Sequence, residues 1–152
     1  MKKQLQLCSL FLLALMGTSG FAAELETEFI NSSESFSQVA SVSANGIKTI
    51  YVSGQVGIHN GEVPDSFAEQ VDIVFSNMAG QLEAAGATMA NVIKLTGFIV
   101  AIDSERLAAY SAARSKHFSS DNPPPASTLI GVSGLVLPAL QVEVEAIAVI
   151  EE

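Results

Sequence analysis

The sequence predicts a two-layer α+β domain, a mixed sheet with two helices on one face, in the order β-β-α-β-α-β-β. Three stretches carry that expectation. From Ser66 to Ala85, apolar residues recur at helical spacing, with Phe67, Val71, Val74, Phe75, Met78, Leu82 and Ala85 on one stripe. Asn91 to Ile102 (NVIKLTGFIVAI) is a long β-rich run. After the three prolines Pro123–Pro125, the chain ends in two apolar strands, the last being Gln141 to Ile150. Helices that alternate with strands imply right-handed crossovers on one face of the sheet.

In chain order, Phe36 to Val42 alternates modestly, and Ala44-Asn45-Gly46 is a turn signal before Ile47 to Ser53. The two runs read as an opening hairpin. Gly54 to Pro64 is a glycine-rich loop without the Lys-Ser/Thr of a phosphate loop. Asp65 or Ser66 suits the N-cap of the first helix, and Gly86 the position just past its end. In the central strand the odd positions Ile93, Leu95, Gly97 and Ile99 form an apolar face. Lys94 and Thr96 make the other face mixed, which suits contact with another subunit. Asp103 or Ser104 caps a second helix, about Glu105 to Phe118, with Leu107, Tyr110, Ser111, Arg114 and Phe118 inward.

The N-terminus reads differently. Met1-Lys2-Lys3, the apolar run Leu7 to Met16 and the small residues before Ala22 match a signal peptide cleaved after Ala22, with Ala23 as the alternative site. A membrane anchor is the competing reading of the same run, which is short for a span. Residues 1–22 are thus expected to be removed, 23–34 to form a flexible leader, and 35–152 to fold. Cleavage makes the product periplasmic or secreted and removes Cys8, the single cysteine. The remaining chain has no thiol for a disulfide, a nucleophile or a metal ligand. Loss of Lys2 and Lys3 takes the net charge from −9 to −11. A chain that acidic lacks the basic footprint of a nucleic-acid or anionic-membrane binder.

Chemistry-bearing residues are few. Glu143 and Glu145 stand in an otherwise apolar final strand, where charge must be solvated, paired or used. His59 falls in a turn-rich loop, and His117 near the end of the second helix is placed to meet its terminal carbonyls. No histidine–carboxylate spacing suggests a metal, and no histidine accompanies Ser53 or Ser127 as a base. No cofactor is expected.

The order of elements and several short stretches together resemble the RidA/YjgF family of imine deaminases. The matching stretches are Ser35-Phe36-Ser37-Gln38, Val52-Ser53-Gly54-Gln55-Val56, Gly61-Glu62-Val63-Pro64 and Leu82 to Gly86. Asn91 to Val100, Pro125-Ala126 and Val142 to Ala148 complete the set. The resemblance implies a chorismate-mutase-like fold and a homotrimer whose sheets face inward as a barrel, with small-molecule clefts between subunits.

In deaminating members of that family an arginine after Pro-Ala clamps the carboxylate of a 2-imino acid, and a glutamate in the last strand activates water. Carried over, the glutamate is Glu143 and the turn serine Ser53, followed by Gly54. The arginine position is Ser127, the tyrosine position Phe36, the asparagine position near Ser111, and a cleft cysteine falls on Leu129. Replacement of the arginine implies poor activity on 2-imino acids, because the guanidinium fork supplies the bidentate contact. Lys94, Arg114 and Lys116 are the cations that could stand in. Without an adjacent cation, burial is expected to raise the Glu143 pKa. Two functions follow from the resemblance: a deaminase-type hydrolase for a small ligand other than a 2-imino acid, or an exported trimer that binds a ligand without turnover, or acts as a holdase.

Overall fold

The computed structural model describes residues 24–118 and 123–152, so the stretch read as a signal peptide lies outside the described residues. Within them the chain forms β1 (Glu26–Ser32), β2 (Ser37–Ala44), β3 (Ile47–Val56), α1 (Phe67–Ala84), β4 (Val92–Val100), α2 (Ser104–His117), β5 (Ala126–Val132) and β6 (Val142–Glu151). A short 3₁₀ turn, Met89–Asn91, leads into β4. These strands make one sheet in the order β1-β2-β3-β6-β4-β5, antiparallel throughout except for the parallel pair β4/β5. The α+β architecture with two helices over a mixed sheet is the one expected.

The opening hairpin turns at Asn45 and Gly46, whose φ angles of 54° and 75° are both positive. That left-handed pair matches the twist of the flanking strands. Ser66 caps α1 by accepting from the Glu69 amide, and Asp103 caps α2 by accepting from the Arg106 amide at 2.8 Å. Both caps satisfy amides that the first helical turn leaves without partners.

The core lies between the helices and one sheet face. Val39, Ile50, Leu95, Ile99, Val142 and Val144 meet Val71, Val74, Phe75, Met78 and Leu82, all fully buried. Each such side chain contributes about 1.5–3 kcal/mol relative to exposure. Phe75 joins the helices, its ring 5.6 Å from those of both Tyr110 and His117 and 6.3 Å from Phe118.

Four expectations need correction. First, 23–34 is not wholly a leader: Glu26–Ser32 is an edge strand paired with β2, and Glu28 takes an ion pair from Lys48 at 2.9 Å. An outer strand needs few apolar residues, and here Ile30 alone packs against the core. Second, Ile93 is 54% exposed while Val92 is buried, because a register shift between Val92 and Lys94 turns the strand. Third, the inward stripe of α2 is narrower than expected. Tyr110 and Ala113 are buried, but Leu107 and Ser111 are exposed. Fourth, His117 stacks on Phe75, and among the described residues no hydrogen bond from its ring to a helix-end carbonyl accompanies that stack.

The two terminal strands are also not neighbours. β6 inserts between β3 and β4, leaving β5 on the far edge. This central position gives Glu143 strands on both sides, opposite Val56 on one and Phe98 on the other.

Candidate functional site

A bulge in β3 creates the site. Val52 pairs with Ala146 and Gln55 with Val144, so Ser53 and Gly54 together occupy the place of one residue opposite Glu145. The extra residue bends β3. Glu143 alternates with the fully buried Val142 and Val144, so its carboxyl leaves the core face and lies across Gly54. A Cβ built on Gly54 would collide with that carboxyl, its nearest neighbours being Glu143 Oε1, Cδ and Cγ. The absence of a side chain at Gly54 is what makes room for the acid.

Glu143, Gly54 and Ser53 open into a cleft of about 610 Å³, walled further by Phe36, Gln38, Gln55, Asn77, Gln81 and Val136. Glu143 is the one ionisable group among its lining residues. Its pKa is raised, first by burial and then by the neighbouring Glu145 carboxylate. The direction is the expected one, with Glu145 as an added cause. A carboxyl that holds its proton more firmly than usual is better suited to exchanging one near neutrality.

A second cavity, of about 510 Å³, lies on the sheet face turned from the helices, between Ser37, Tyr51, Lys94, Thr96, Glu145 and Ile147. Lys94 donates to the Thr128 hydroxyl and the Leu95 carbonyl there, so it does not serve the Glu143 cleft within this chain. Lys116 pairs with Asp72 at 2.9 Å, and the Arg114 guanidinium lies 5.5 Å from the Phe118 ring centre. Among the described residues no group of three histidine, cysteine or acidic side chains could hold a metal ion, and no helix is long and apolar enough to cross a membrane.

The family model described as Endoribonuclease L-PSP, that of the RidA/YjgF proteins, matches residues 26–150. The chain belongs to the RidA/YjgF family. It is 34% identical over 110 residues to a RutC family protein of Aquifex aeolicus, covering 71% of this chain and 84% of that protein. To a 2-iminobutanoate/2-iminopropanoate deaminase of Dermatophagoides farinae it is 35% identical over 106 residues, covering 68% and 79%. Among solved structures, RidA of an Antarctic Psychrobacter superposes with a TM-score of 0.66 at 28% identity, covering 78% of this chain and 91% of that one.

Of the residues to which the RidA/YjgF pattern pointed, the structure brings together Phe36, Ser53, Gly54 and Glu143. It leaves Ser111, Ser127 and Leu129 outside that cleft. Ser127 is level with the buried Leu95 on the adjacent strand, and Leu129 lies over Gly97 beside the Tyr110 ring. Side chains level across neighbouring strands share a face, so both point to the helix side, away from Glu143. Ser111 is exposed on α2. The RidA/YjgF resemblance gave no site role to Gln38, Asn77, Gln81 or Val136, which also line the cleft. The i,i+4 spacing of Asn77 and Gln81 placed them on one helix face, but nothing local said what that face meets.

Proposed function

We propose that this RidA/YjgF protein is a deaminase-type hydrolase of small imines or enamines that lack a carboxylate, with Glu143 as the proton-transfer group. The observation that carries the reading is the Glu143 carboxyl set over Gly54 in a cleft with no basic side chain among its lining residues. Water adds to the imine carbon as Glu143 takes its proton and passes it to the nitrogen, giving a carbinolamine. The carbinolamine then collapses to a carbonyl compound and ammonia, and Glu143 regains its starting state. A 2-imino acid would place a carboxylate beside Glu143 with no cation of this chain to pair it, a cost of several kcal/mol.

The same reading takes the protein as an exported homotrimer. Ser127 and Leu129 lie on the face opposite Glu143, which supports a cleft that draws the two sets from different copies. Tyr51, Thr96 and Ile147 give the outer sheet face a surface for the contact. Light scattering on the purified protein tests the assembly, with a mass of one or two chains counting against it.

The chemical test is ammonia release from imines generated in solution, with and without a carboxylate. Neutral imines are expected to turn over, with a loss of at least about 100-fold in Glu143→Gln. Turnover of 2-iminopropanoate at the rate of an arginine-bearing relative would overturn the substrate assignment. Binding without turnover is the second reading. It is favoured by Ser127 and Leu129 at positions where the resemblance sets an arginine and a cysteine, and retained ligand binding with no ammonia release from any imine by the wild type supports it.

A further inference from the structure

One wall of the Glu143 cleft is built from side-chain amides, of which Gln38 (by way of Gln55) and Asn77 have their orientation fixed from behind by backbone carbonyls. Gln55, almost fully buried, donates through Nε2 to the Ser53 carbonyl at 3.0 Å and to Gln38 Oε1 at 2.8 Å. A carbonyl oxygen only accepts, so the Ser53 contact settles which end of the Gln55 amide is nitrogen. Gln38 must then offer its oxygen to Gln55, which leaves its Nε2 as a donor for the cleft. Asn77 spends Nδ2 on the Val56 and Ile58 carbonyls, both at 3.1 Å, and so presents Oδ1 as an acceptor. Gln81, one turn along α1, accepts from Asn31 Nδ2 at 2.8 Å and keeps its own Nε2 as a donor.

The wall therefore shows donors from Gln38 and Gln81 and an acceptor from Asn77, all uncharged. A carboxylate has no hydrogen for Asn77 Oδ1 and meets no cation among this chain's lining residues. A primary carboxamide supplies a carbonyl for the glutamine donors and an N–H for Asn77. Phe36 and Val136, 54% and 82% exposed, flank the opening with apolar surface suited to a short alkyl group.

We propose that Gln38, Asn77 and Gln81 form a recognition subsite for a neutral primary amide or ureido group, so that the imine processed at Glu143 carries a carboxamide where a 2-imino acid carries a carboxylate. The proposal rests on the reading of this cleft as the ligand site. Its test compares pyruvamide, the product a 2-imino amide would yield, with pyruvate by titration calorimetry. The variants are Gln38→Glu and Gln81→Glu. Each keeps the acceptor oxygen used by Gln55 or Asn31 and removes the cleft-facing donor, so the supporting contacts survive. Unchanged circular dichroism establishes that they fold.

Pyruvamide is expected to bind at least tenfold more tightly than pyruvate, and each variant to lose about tenfold for pyruvamide. Equal affinity for the two compounds, or pyruvamide binding unchanged in both variants, overturns the subsite. If neither compound binds while turnover of other imines still depends on Glu143, the subsite is overturned and the cleft assignment stands. If Glu143→Gln also has no effect, both fall.

Discussion

The Glu143 carboxyl lies against the Cα of Gly54, in the space where any other residue would place a Cβ. The contact is between two strands that pair through a bulge, and the bulge exists because β3 carries one residue more than β6 across Ser53-Gly54. An acid in mid-sheet is thus kept away from the core and partly out of water by the lack of one methyl group.

Gly54→Ala should separate function from stability. The atoms in the way belong to the flexible Glu143 side chain, so the carboxyl can swing aside and the fold should lose no more than about 1 kcal/mol. The displaced acid is expected to lose its raised pKa and the cleft its activity. An NMR titration of the Glu143 carboxyl, beside a urea melt, checks both. A large fall in stability with an unmoved titration would refute the assignment.

The pH dependence of stability follows from the same acid. Its folded pKa is raised, by burial first and Glu145 second. The fold therefore binds this proton more tightly than the unfolded chain does. That stabilisation is complete below the unfolded value of about 4.3 and is lost as pH rises through the folded pKa. Glu143→Gln should accordingly be more stable than wild type at neutral pH, and the advantage should shrink towards zero in acid. Thermal melts of both proteins at several pH values make the comparison.

Gln70 is fully buried on α1 and has a structural role. Its Nε2 donates to the carbonyls of Pro64 at 2.7 Å and Ala139 at 2.9 Å, and its Oε1 accepts from the Gln141 amide at 2.9 Å. These bonds pin the loop before α1 to the segment that enters β6. Gln70→Leu removes three hydrogen bonds made by a fully buried side chain, each contributing about 0.5–1.5 kcal/mol, so a loss of about 1.5–4.5 kcal/mol is expected. The urea midpoint measures it.

Lys116 and Asp72 join the two helices at 2.9 Å, yet both side chains are exposed. Lys116→Ala should change stability by less than about 1 kcal/mol, and by less still in high salt. A change as large as that of Gln70→Leu would mean that the helix pair depends on charge more than on Phe75.

Much of this fold was legible in the sequence because it follows from local rules. The α1 stripe, the Ser66 and Asp103 caps and the Asn45-Gly46 turn each need only the neighbouring few residues to be decided. Where the reading failed, the deciding partner was distant. Glu26–Ser32 has the composition of a solvated leader and becomes a strand because β2 offers it an edge. Ile93 is outward because of a one-residue shift against β6. Gln70 reads as a polar helix residue until two remote loops converge on it.

The sequence by itself determined the two-layer class, the helix ends and the oddity of an acid at Glu143 inside an apolar strand. Helical periodicity, capping and turn chemistry are properties of contiguous backbone, and an apolar strand declares itself by composition. Only the tertiary structure decided that β6 lies between β3 and β4, that Gly54 leaves space for the Glu143 carboxyl, and that Ser127 lies on the opposite face of the sheet. Those relations depend on which strands neighbour one another and on a single bulge. Contacts between residues some thirty to ninety positions apart set them, and no local pattern encodes their register.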